Sequence, residues 1–325
     1  MTHRAPARFS TISSALPLVL LCSLSLGAGA TEYPASPITL VVGYGAGGGT
    51  DVCSRVLALN VAKQLGQSVI VDNKPGAGTT LSLSYGARQK PDGYALTALS
   101  SAGVLNQVLM PKVAYDVTRD FTPIAMVAQY QAGIAVRADS PHKTLADLIQ
   151  ASKAAGKPLS YSTAGIGTPQ HLTAERLAKQ ETVNWVHAPY KSGPEAITAL
   201  MRGDVDFMAQ TAEWVPYVRD GRLRLLAVFT EDRVKGFDAP SLKELGYNLV
   251  APSTLGVLGP AKMQPAVVSK LQNALHAAGQ SPEFENCADQ FGLKPDYKDA
   301  ASYRSYIQDM LKNWTPVLKQ FASKE

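Results

Sequence analysis

A glycine-rich loop follows the first predicted strand, and its residues are of the types that bind anions. Residues 43–49, GYGAGGG, contain five glycines, and Gly43, Gly45 and Gly48 have the G-x-G-x-x-G spacing of dinucleotide-binding loops. Glycines let a backbone approach a ligand closely, and the free N–H groups at the start of the following helix attract negative charge. The pattern predicts an anion site. It leaves open whether the anion is a dinucleotide or a smaller molecule.

A second loop of this kind lies near the middle of the chain. In SYSTAGIGTPQ, residues 160–170, a predicted strand breaks into glycines and small hydroxyl residues before a helix begins at Pro169. The hydroxyls of Thr163 and Thr168 could donate hydrogen bonds, and His171 would belong to the wall of the site rather than act as a catalyst. Two such loops predict two halves of one site that hold an anionic molecule between them.

Motifs of common enzyme classes are missing from the sequence. There is no G-x-S-x-G nucleophile loop, no H-E-x-x-H motif and no P-loop lysine after a glycine loop. His142, His171, His187 and His276 are far apart and lack the spacing of metal ligands. We therefore expect a protein that is not an enzyme and that uses no metal and no cofactor.

The first 30 residues have the features of a secretory signal peptide. Arg4 and Arg8 precede an apolar segment of about a dozen residues, which is too short to span a bilayer, and Ala28-Gly29-Ala30 forms a small-x-small cleavage site. We expect cleavage after Ala30 and a periplasmic mature protein. Export argues against a dinucleotide ligand, because the nicotinamide pool is largely cytoplasmic.

The charge and the cysteines of the mature chain add two constraints. The formal net charge is +5, and removal of Arg4 and Arg8 leaves +3, which is too mild and too scattered to indicate nucleic acid as a partner. Cys53 and Cys287 are the cysteines beyond residue 30. They could pair in an oxidising compartment, but free cysteines are commonly buried, and we favour two separate buried thiols.

Strand and helix patterns alternate in two parts of the mature chain. Strands at ITLVVGY, SVIVDN and YALTALS alternate with helices predicted over 51–64 and 80–89, which indicates a parallel sheet covered by helices. The same order returns from residue 145 onward. Two long helices, predicted over 265–278 and 300–321, would pack on the first of the two domains.

The segment FTPIAMVAQYQAGIAVRADS, residues 121–140, is β-like throughout and has the pattern of a connection between domains. We assign residues 31–128 and 227–325 to lobe 1 and residues 129–226 to lobe 2. LRLLAVFT would carry the chain back to lobe 1. The two connecting strands would then act as a hinge beside a cleft.

Several segments, in order along the mature chain, are specific enough to indicate a family. They are YPASPITLVV, GGGTD, VIVDNKPGAG, KPDGYAL, HAPYKSGPEAITALMRGDVD, GRLRLLAV and LGVLGPA. With them the chain resembles the Bug, or TctC-like, extracytoplasmic solute receptors of tripartite tricarboxylate transporters. The resemblance implies an α/β, two-lobed periplasmic-binding-protein fold of type II-like form, in which each lobe is a mostly parallel sheet flanked by helices, with a two-strand hinge.

The same resemblance implies a function and a set of binding residues. A small di- or tricarboxylate would be captured between the lobes, mainly by backbone N–H groups and bridging waters, and a monomeric receptor would present it to a permease or a sensor protein. Together with the two glycine loops, the residues implied to bind are Tyr44, Gly45, Ala46, Gly47, Gly48, Thr50, Ser100, Ser101, Thr163, Ala164, Gly165, Gly167, Thr168, His171, Tyr190, Lys191, Gln210 and Thr211.

The chain departs from the family pattern at FMAQTAEW. Many relatives have an acidic residue near Gln210 and Thr211, where this chain has neutral side chains. That acidic residue would pair with an amino group on the ligand, so its absence favours a plain di- or tricarboxylate over an amino acid. If an amino acid were bound after all, Glu213 or Asp72 would be its ammonium partner. Trp214 could stack on a ligand ring or only form part of the wall.

Two further expectations concern the first glycine loop. We expect Asp51 to cap the helix after the loop rather than to contact the ligand, because like charges repel. The alternative function is that of an exported α/β enzyme which uses the loop of Gly43, Gly45 and Gly48 for a nucleotide or phosphate substrate.

Overall fold

The computed structural model describes residues 1–3, 5, 32–110 and 112–322, and for residues 320–322 it describes the backbone alone. The chain forms two compact units, Met1–Glu32 and Tyr33–Glu325. The expected signal peptide and its cleavage site after Ala30 fall almost wholly outside the described residues. The second unit contains all the elements that follow.

The described residues form eleven strands and ten helices. The strands are β1 Ile38–Val42, β2 Val69–Asn73, β3 Ala95–Leu99, β4 Phe121–Tyr130, β5 Ala132–Arg137, β6 Leu159–Thr163, β7 Trp185–Pro189, β8 Phe207–Thr211, β9 Leu223–Val228, β10 Leu255–Pro260 and β11 Leu293–Lys298. The helices are α1 Gly49–Leu65, α2 Thr80–Gly86, α3 Ser101–Leu109, α4 Leu145–Ala154, α5 Pro169–Glu181, α6 Gly193–Arg202, α7 Val215–Arg219, α8 Pro265–Gly279, α9 Pro282–Phe291 and α10 Ala300–Ala322.

Lobe 1 is built on a six-stranded mixed sheet in the order β11-β4-β10-β3-β1-β2. Strands β1, β2 and β3 are parallel, and β10 runs antiparallel to both β3 and β4. Alternate residues of a strand face opposite sides of the sheet, and both sides of this sheet are covered. Ile38 and Leu40 of β1 pack with α1, α8 and α9, whereas Leu99 of β3 packs with α2, α3 and α10.

Lobe 2 is built on a five-stranded sheet in the order β7-β6-β8-β5-β9. Strand β6 is parallel to β7 and β8, and β5 is antiparallel to β8 and β9. Ile134 of β5 packs with α4 and α5 on one side, and Ala135 packs with α6 and α7 on the other. Two mixed sheets flanked by helices confirm the two-lobed α/β fold.

The chain passes between the sheets at two places. Strand β4 ends at Tyr130 and β5 begins at Ala132, so Gln131 alone separates the strand of lobe 1 from the strand of lobe 2. The return differs from the prediction. Strand β9 completes the sheet of lobe 2, and residues 229–251 stay on that lobe because Leu242 and Leu249 are buried in its core. The chain therefore returns to lobe 1 after residue 251 and not at residue 227.

The predicted helices differ from the observed ones mainly at their ends. The helix predicted over 51–64 begins two residues earlier, and the helix predicted over 80–89 ends at Gly86. Helices α8 and α10 pack on lobe 1, as expected. Helices α3, α7 and α9 were not predicted. None of the helices in the described residues has the length and apolar character that a membrane span requires.

Cys53 of α1 and Cys287 of α9 form a disulfide, with a Cα–Cα distance of 5.8 Å. Our preference for two separate thiols was therefore wrong. Both cysteines are buried in the lobe 1 core, where α9 packs against α1. The pairing depends on this packing of segments 234 residues apart, which the local sequence does not reveal.

Candidate functional site

A small cavity lies between the two lobes, at the ends of the strands that the glycine loops follow. Its volume of about 30 Å³ is room for roughly two water molecules. Lobe 1 lines it with Tyr44, Gly45, Gly48, Thr50, Ser100, Ser101, Ala102, Tyr130 and Ser253. Lobe 2 lines it with Ala164, Pro169, Gln170, Ser192, Gly193, Thr211 and Glu213.

Four helices begin at this cavity. Gly48 is the N-cap of α1, Ser100 is the N-cap of α3 and Ser192 is the N-cap of α6, while Pro169 is the first residue of α5. Each helix N-terminus carries free N–H groups and about half a positive charge. The lining residues include no lysine or arginine among those that the structure describes. The positive potential of the cavity therefore comes from backbone groups.

The first glycine loop is held in place by Asp51. Its carboxylate accepts a hydrogen bond from the N–H of Gly47, at 2.9 Å, and forms an ion pair with Arg55. Burial raises the pKa of Asp51, but the hydrogen bonds from Arg55, Gly47 and Asn73 outweigh this effect, so the pKa is lowered overall. Asp51 is the third residue of α1 and not its N-cap. It fixes the turn, as a capping residue would, and does not line the cavity.

Hydroxyl groups of lobe 1 surround the start of α1 and α3. The hydroxyl of Tyr44 lies 3.1 Å from Ser100 Oγ, and the hydroxyl of Tyr130 donates to Thr50 Oγ1 at 2.8 Å. Burial raises the pKa of Tyr44 to about 12, so its hydroxyl stays protonated. Ser101 Oγ is buried and has no hydrogen-bond partner among the described residues. It is free to bind a ligand.

The second glycine loop uses most of its polar groups internally. The N–H of Gly165 donates to Thr163 Oγ1, and the hydroxyl of Thr168 donates to the carbonyl of Gly165. The N–H of Gly167 donates to His171 Nδ1 at 3.1 Å. From this loop only Ala164, Pro169 and Gln170 line the cavity. The expectation that the two threonine hydroxyls face a ligand is not met.

His171 lies behind the second loop and stacks on His187, with the ring centroids 4.0 Å apart. Burial, and then the neighbouring His187, lower the pKa of His171 to about 3, and burial lowers the pKa of His187 to about 4. Both rings are therefore neutral near pH 7. A neutral His171 can accept the hydrogen bond from Gly167 and so supports the loop from the rear.

Glu213 is the acidic residue of the cavity. It follows β8 in the short turn Ala212–Trp214, its side chain is buried, and it accepts hydrogen bonds from the hydroxyl of Thr211 and from the N–H of Gly49. Burial raises the pKa of this carboxyl group. Gln210 and Thr211 are neutral, but the cavity has an acidic side chain two residues beyond Thr211, at one of the two acidic residues that the sequence analysis named. Gln210 does not line the cavity, and its Oε1 accepts a hydrogen bond from Gln170 Nε2 at 2.8 Å.

A larger groove of about 330 Å³ adjoins the cavity, and the two share Tyr44 and Ala164. The groove also lies between the lobes. Its other lining residues are Gly43, Gly76, Ala77, Gly78, Thr79, Met110, Gly165, Ile166, Pro189, Tyr190 and Lys191. The predicted cation, Lys191, is thus placed at the groove and not at the cavity.

The eighteen predicted binding residues fall into three groups. The cavity is lined by Tyr44, Gly45, Gly48, Thr50, Ser100, Ser101, Ala164 and Thr211, and the groove adds Gly165, Tyr190 and Lys191. Neither space is lined by Ala46, Gly47, Thr163, Gly167, Thr168, His171 or Gln210. Trp214 is fully buried in lobe 2 against Phe237 and cannot stack on a ligand in this conformation.

Several lining residues were missed. Ser192 and Gly193 open α6, and the Ser-Gly-Pro-Glu sequence is a recognisable helix start, so local reasoning could have found them. Tyr130 at the end of β4 and Ser253 just before β10 are different, because distant segments of lobe 1 bring them to the cavity. Glu213, which the sequence analysis named only as a partner for an amino group, lines the cavity from lobe 2. Among the residues that the structure describes, no group of His, Cys, Asp or Glu has an arrangement suited to a metal ion.

Known proteins resemble this chain along most of its length. The family model "Tripartite tricarboxylate transporter family receptor" matches residues 53–322. The "UPF0065 protein in gbd 5'region" of Cupriavidus necator is 37% identical over 310 residues, which cover 95% of this chain and 94% of that protein. The family resemblance inferred from the sequence is confirmed.

Two solved structures share the fold. The periplasmic binding protein BugD has a TM-score of 0.84 and 28% identity, covering 90% of this chain and 99% of its own. MatC from Rhodopseudomonas palustris, with bound malate, has a TM-score of 0.82 and 25% identity, covering 88% of this chain and 100% of its own.

Proposed function

The chain belongs to the tripartite tricarboxylate transporter receptor family, and from this premise we propose that it captures a small di- or tricarboxylate between its lobes. The bound ligand is then presented to a permease of that transporter class or to a sensor protein. The observation that carries the proposal is the convergence of four helix N-termini on one cavity without a cationic side chain. Such a site binds carboxylates through N–H groups and hydroxyls.

The size of the site constrains the ligand. The cavity of about 30 Å³ is too small for a whole dicarboxylate, whereas the adjoining groove of about 330 Å³ has room for one. We place one carboxylate at the starts of α1 and α3, with the lobes slightly further apart than here, and the rest of the ligand toward the groove. Lys191 at the groove would attract a second carboxylate. MatC, a relative in fold and sequence, has malate bound.

Closure would couple binding to recognition by the partner. The lobes are joined at Gln131 and again between residues 251 and 255, so a ligand that contacts both lobes favours the closed form. We propose that the mature protein is a periplasmic monomer released by cleavage after Ala30. BugD is likewise a periplasmic binding protein.

A thermal-shift panel tests the proposal. Succinate, malate, adipate and citrate, with aspartate, glutamate, phosphate and NAD for comparison, are added separately to the mature protein. A ligand at 100 times its Kd stabilises the folded state by ~2.7 kcal/mol. At least one di- or tricarboxylate should raise the melting temperature. If none does so while phosphate or NAD does, the receptor function is wrong and the nucleotide alternative stands.

A further inference from the structure

The Glu213 carboxylate lies at the helix N-termini where the proposed function places a ligand carboxylate. It belongs to lobe 2, yet its Oε1 lies 3.4 Å from the N–H of Gly49, the first residue of α1 in lobe 1. It also adjoins the start of α6, since a Cβ on Gly193 would lie 2.6 Å from Glu213 Cδ. One side-chain carboxylate therefore lies between the N-termini of two helices from opposite lobes.

No cationic side chain neutralises this carboxylate among the described lining residues. Its donors are the hydroxyl of Thr211, the N–H of Gly49 and its own backbone N–H, and the partial charges of the two helix N-termini lie close by. Glu213 itself is only 9% exposed. A buried carboxylate with these partners uses the same interactions that the proposed function assigns to the ligand.

The volume left in the cavity also indicates that Glu213 and a ligand carboxylate compete for one position. With Glu213 in place, the cavity holds only about 30 Å³, which leaves little room for a ligand carboxylate beside it. The unpartnered hydroxyl of Ser101, 1% exposed, lines the same cavity and is available to a ligand. Two carboxylates close together in a buried site would also repel each other strongly.

We propose that Glu213 is an internal competitor of the ligand: its carboxylate holds the anion position at the start of α1 in the empty closed receptor, and a ligand carboxylate binds by displacing it. The inference rests on the proposed function for the identity of the ligand as a carboxylate. In this role Glu213 determines both the affinity for the ligand and the extent to which the lobes close when no ligand is bound. It also explains how an acidic side chain can belong to the binding site of an anion.

Calorimetric titration tests the competition. The proteins are the wild type, Glu213→Gln, and the control Glu231→Gln, which removes an exposed glutamate of the same lobe. The probe is the best-bound plain dicarboxylate of the thermal-shift panel. Glu213→Gln should bind it at least about tenfold more tightly, because the competing charge is gone, while Glu231→Gln should match the wild type. Weaker or unchanged binding by Glu213→Gln overturns the proposal.

Aspartate provides a second comparison. If Glu213 were instead the partner of a ligand ammonium group, aspartate would bind more tightly than succinate, and Glu213→Gln would abolish that preference. This outcome also overturns the proposal.

Solution scattering without ligand tests the role of Glu213 independently of the proposed function. Glu213→Gln and Glu213→Ala, checked for folding by circular dichroism, should each have a larger radius of gyration than the wild type, since the contact across the lobes is weakened. Equal radii overturn the competitor role. A wild type that binds no carboxylate at all refutes the proposed function, and the scattering result then still decides whether Glu213 holds the lobes together.

Discussion

Asn106 of α3 and Gly167 of the second glycine loop meet across the boundary between the lobes. A Cβ on Gly167 would lie 1.7 Å from Asn106 Oδ1, so only glycine fits there in the closed form. The side-chain amide of Asn106 donates to the carbonyl of Gly78 at 2.9 Å within lobe 1 and reaches the carbonyl of Ile166 in lobe 2 at 3.4 Å. Gly167 therefore lies at a tight contact between the lobes, and it lines neither the cavity nor the groove.

The first prediction concerns this contact. Gly167→Ala should prevent full closure, because the new methyl group and Asn106 cannot occupy the same space. It should also reduce stability by ~1 kcal/mol, because φ at this residue is +70°. We expect ligand affinity to fall at least about tenfold and the radius of gyration with saturating ligand to be larger than that of the wild type in solution scattering.

The double variant Gly167→Ala with Asn106→Ala provides the control. Removal of the Asn106 carboxamide makes room for the methyl group, so part of the closure should return. If Gly167→Ala alone closes as the wild type does, the contact between these two residues does not govern closure.

The second prediction concerns the first glycine loop. A Cβ on Gly48 would lie 3.4 Å from Pro194 Cδ and 3.7 Å from Glu213 Oε1, so the branches of a valine would extend into the cavity. Gly48→Val should weaken carboxylate binding at least about tenfold. Gly156→Val is the matched control, because a Cβ on Gly156 has no neighbour within 4 Å. Equal affinities of the two variants in calorimetry would place the ligand elsewhere.

The third prediction concerns the disulfide between Cys53 and Cys287. It closes a loop between residues separated by 234 positions, and a disulfide of this kind stabilises a protein by about 2–5 kcal/mol. Cys53→Ala with Cys287→Ala should lower the free energy of unfolding in urea by that amount and leave ligand affinity unchanged, since both residues lie in the core of lobe 1. Reductant should destabilise the wild type but not the variant. Insensitivity of the wild type to reductant contradicts the bond.

The fourth prediction concerns acid stability. Because burial lowers the pKa of His171 to about 3 and of His187 to about 4, both below their ordinary value of 6.5, folding favours the neutral rings. Their contribution is fully present above pH 6.5 and is lost as the pH falls toward 4 and below. For His187 the loss is roughly 3 kcal/mol.

His187→Gln can keep a hydrogen bond to Thr163 but cannot take up the proton. Urea unfolding between pH 7 and pH 4 should therefore show a smaller loss of stability in this variant than in the wild type. The same decrease in the free energy of unfolding between pH 7 and pH 4 in both proteins would mean that the stacked histidines do not account for the acid sensitivity.

Local signals in the sequence predicted the glycine loops and the helices that follow them. These signals can be interpreted from a few neighbouring residues, because helix starts and tight turns are decided by local backbone geometry. They are the glycines of residues 43–49 and Pro169, which follows a small hydroxyl residue. Strand alternation predicted the two α/β lobes for the same reason. Helix α9 was missed although Ser281, Pro282 and Gly292 are local signals for its start and end, and its position in the fold depends on packing against α1 and β11.

The sequence by itself thus determined the family and the two-lobed fold, and it predicted that helix N-termini would bind an anion. The tertiary structure alone decided the bond between Cys53 and Cys287, the inward hydrogen bonds of Thr163 and Thr168, and the position of Glu213 against Gly49. The physical reason is the separation of the contacting residues along the sequence. A turn or a helix start forms from neighbouring residues. The contacts named here form only after distant segments have packed together, and the contact of Glu213 forms only after the two lobes have done so.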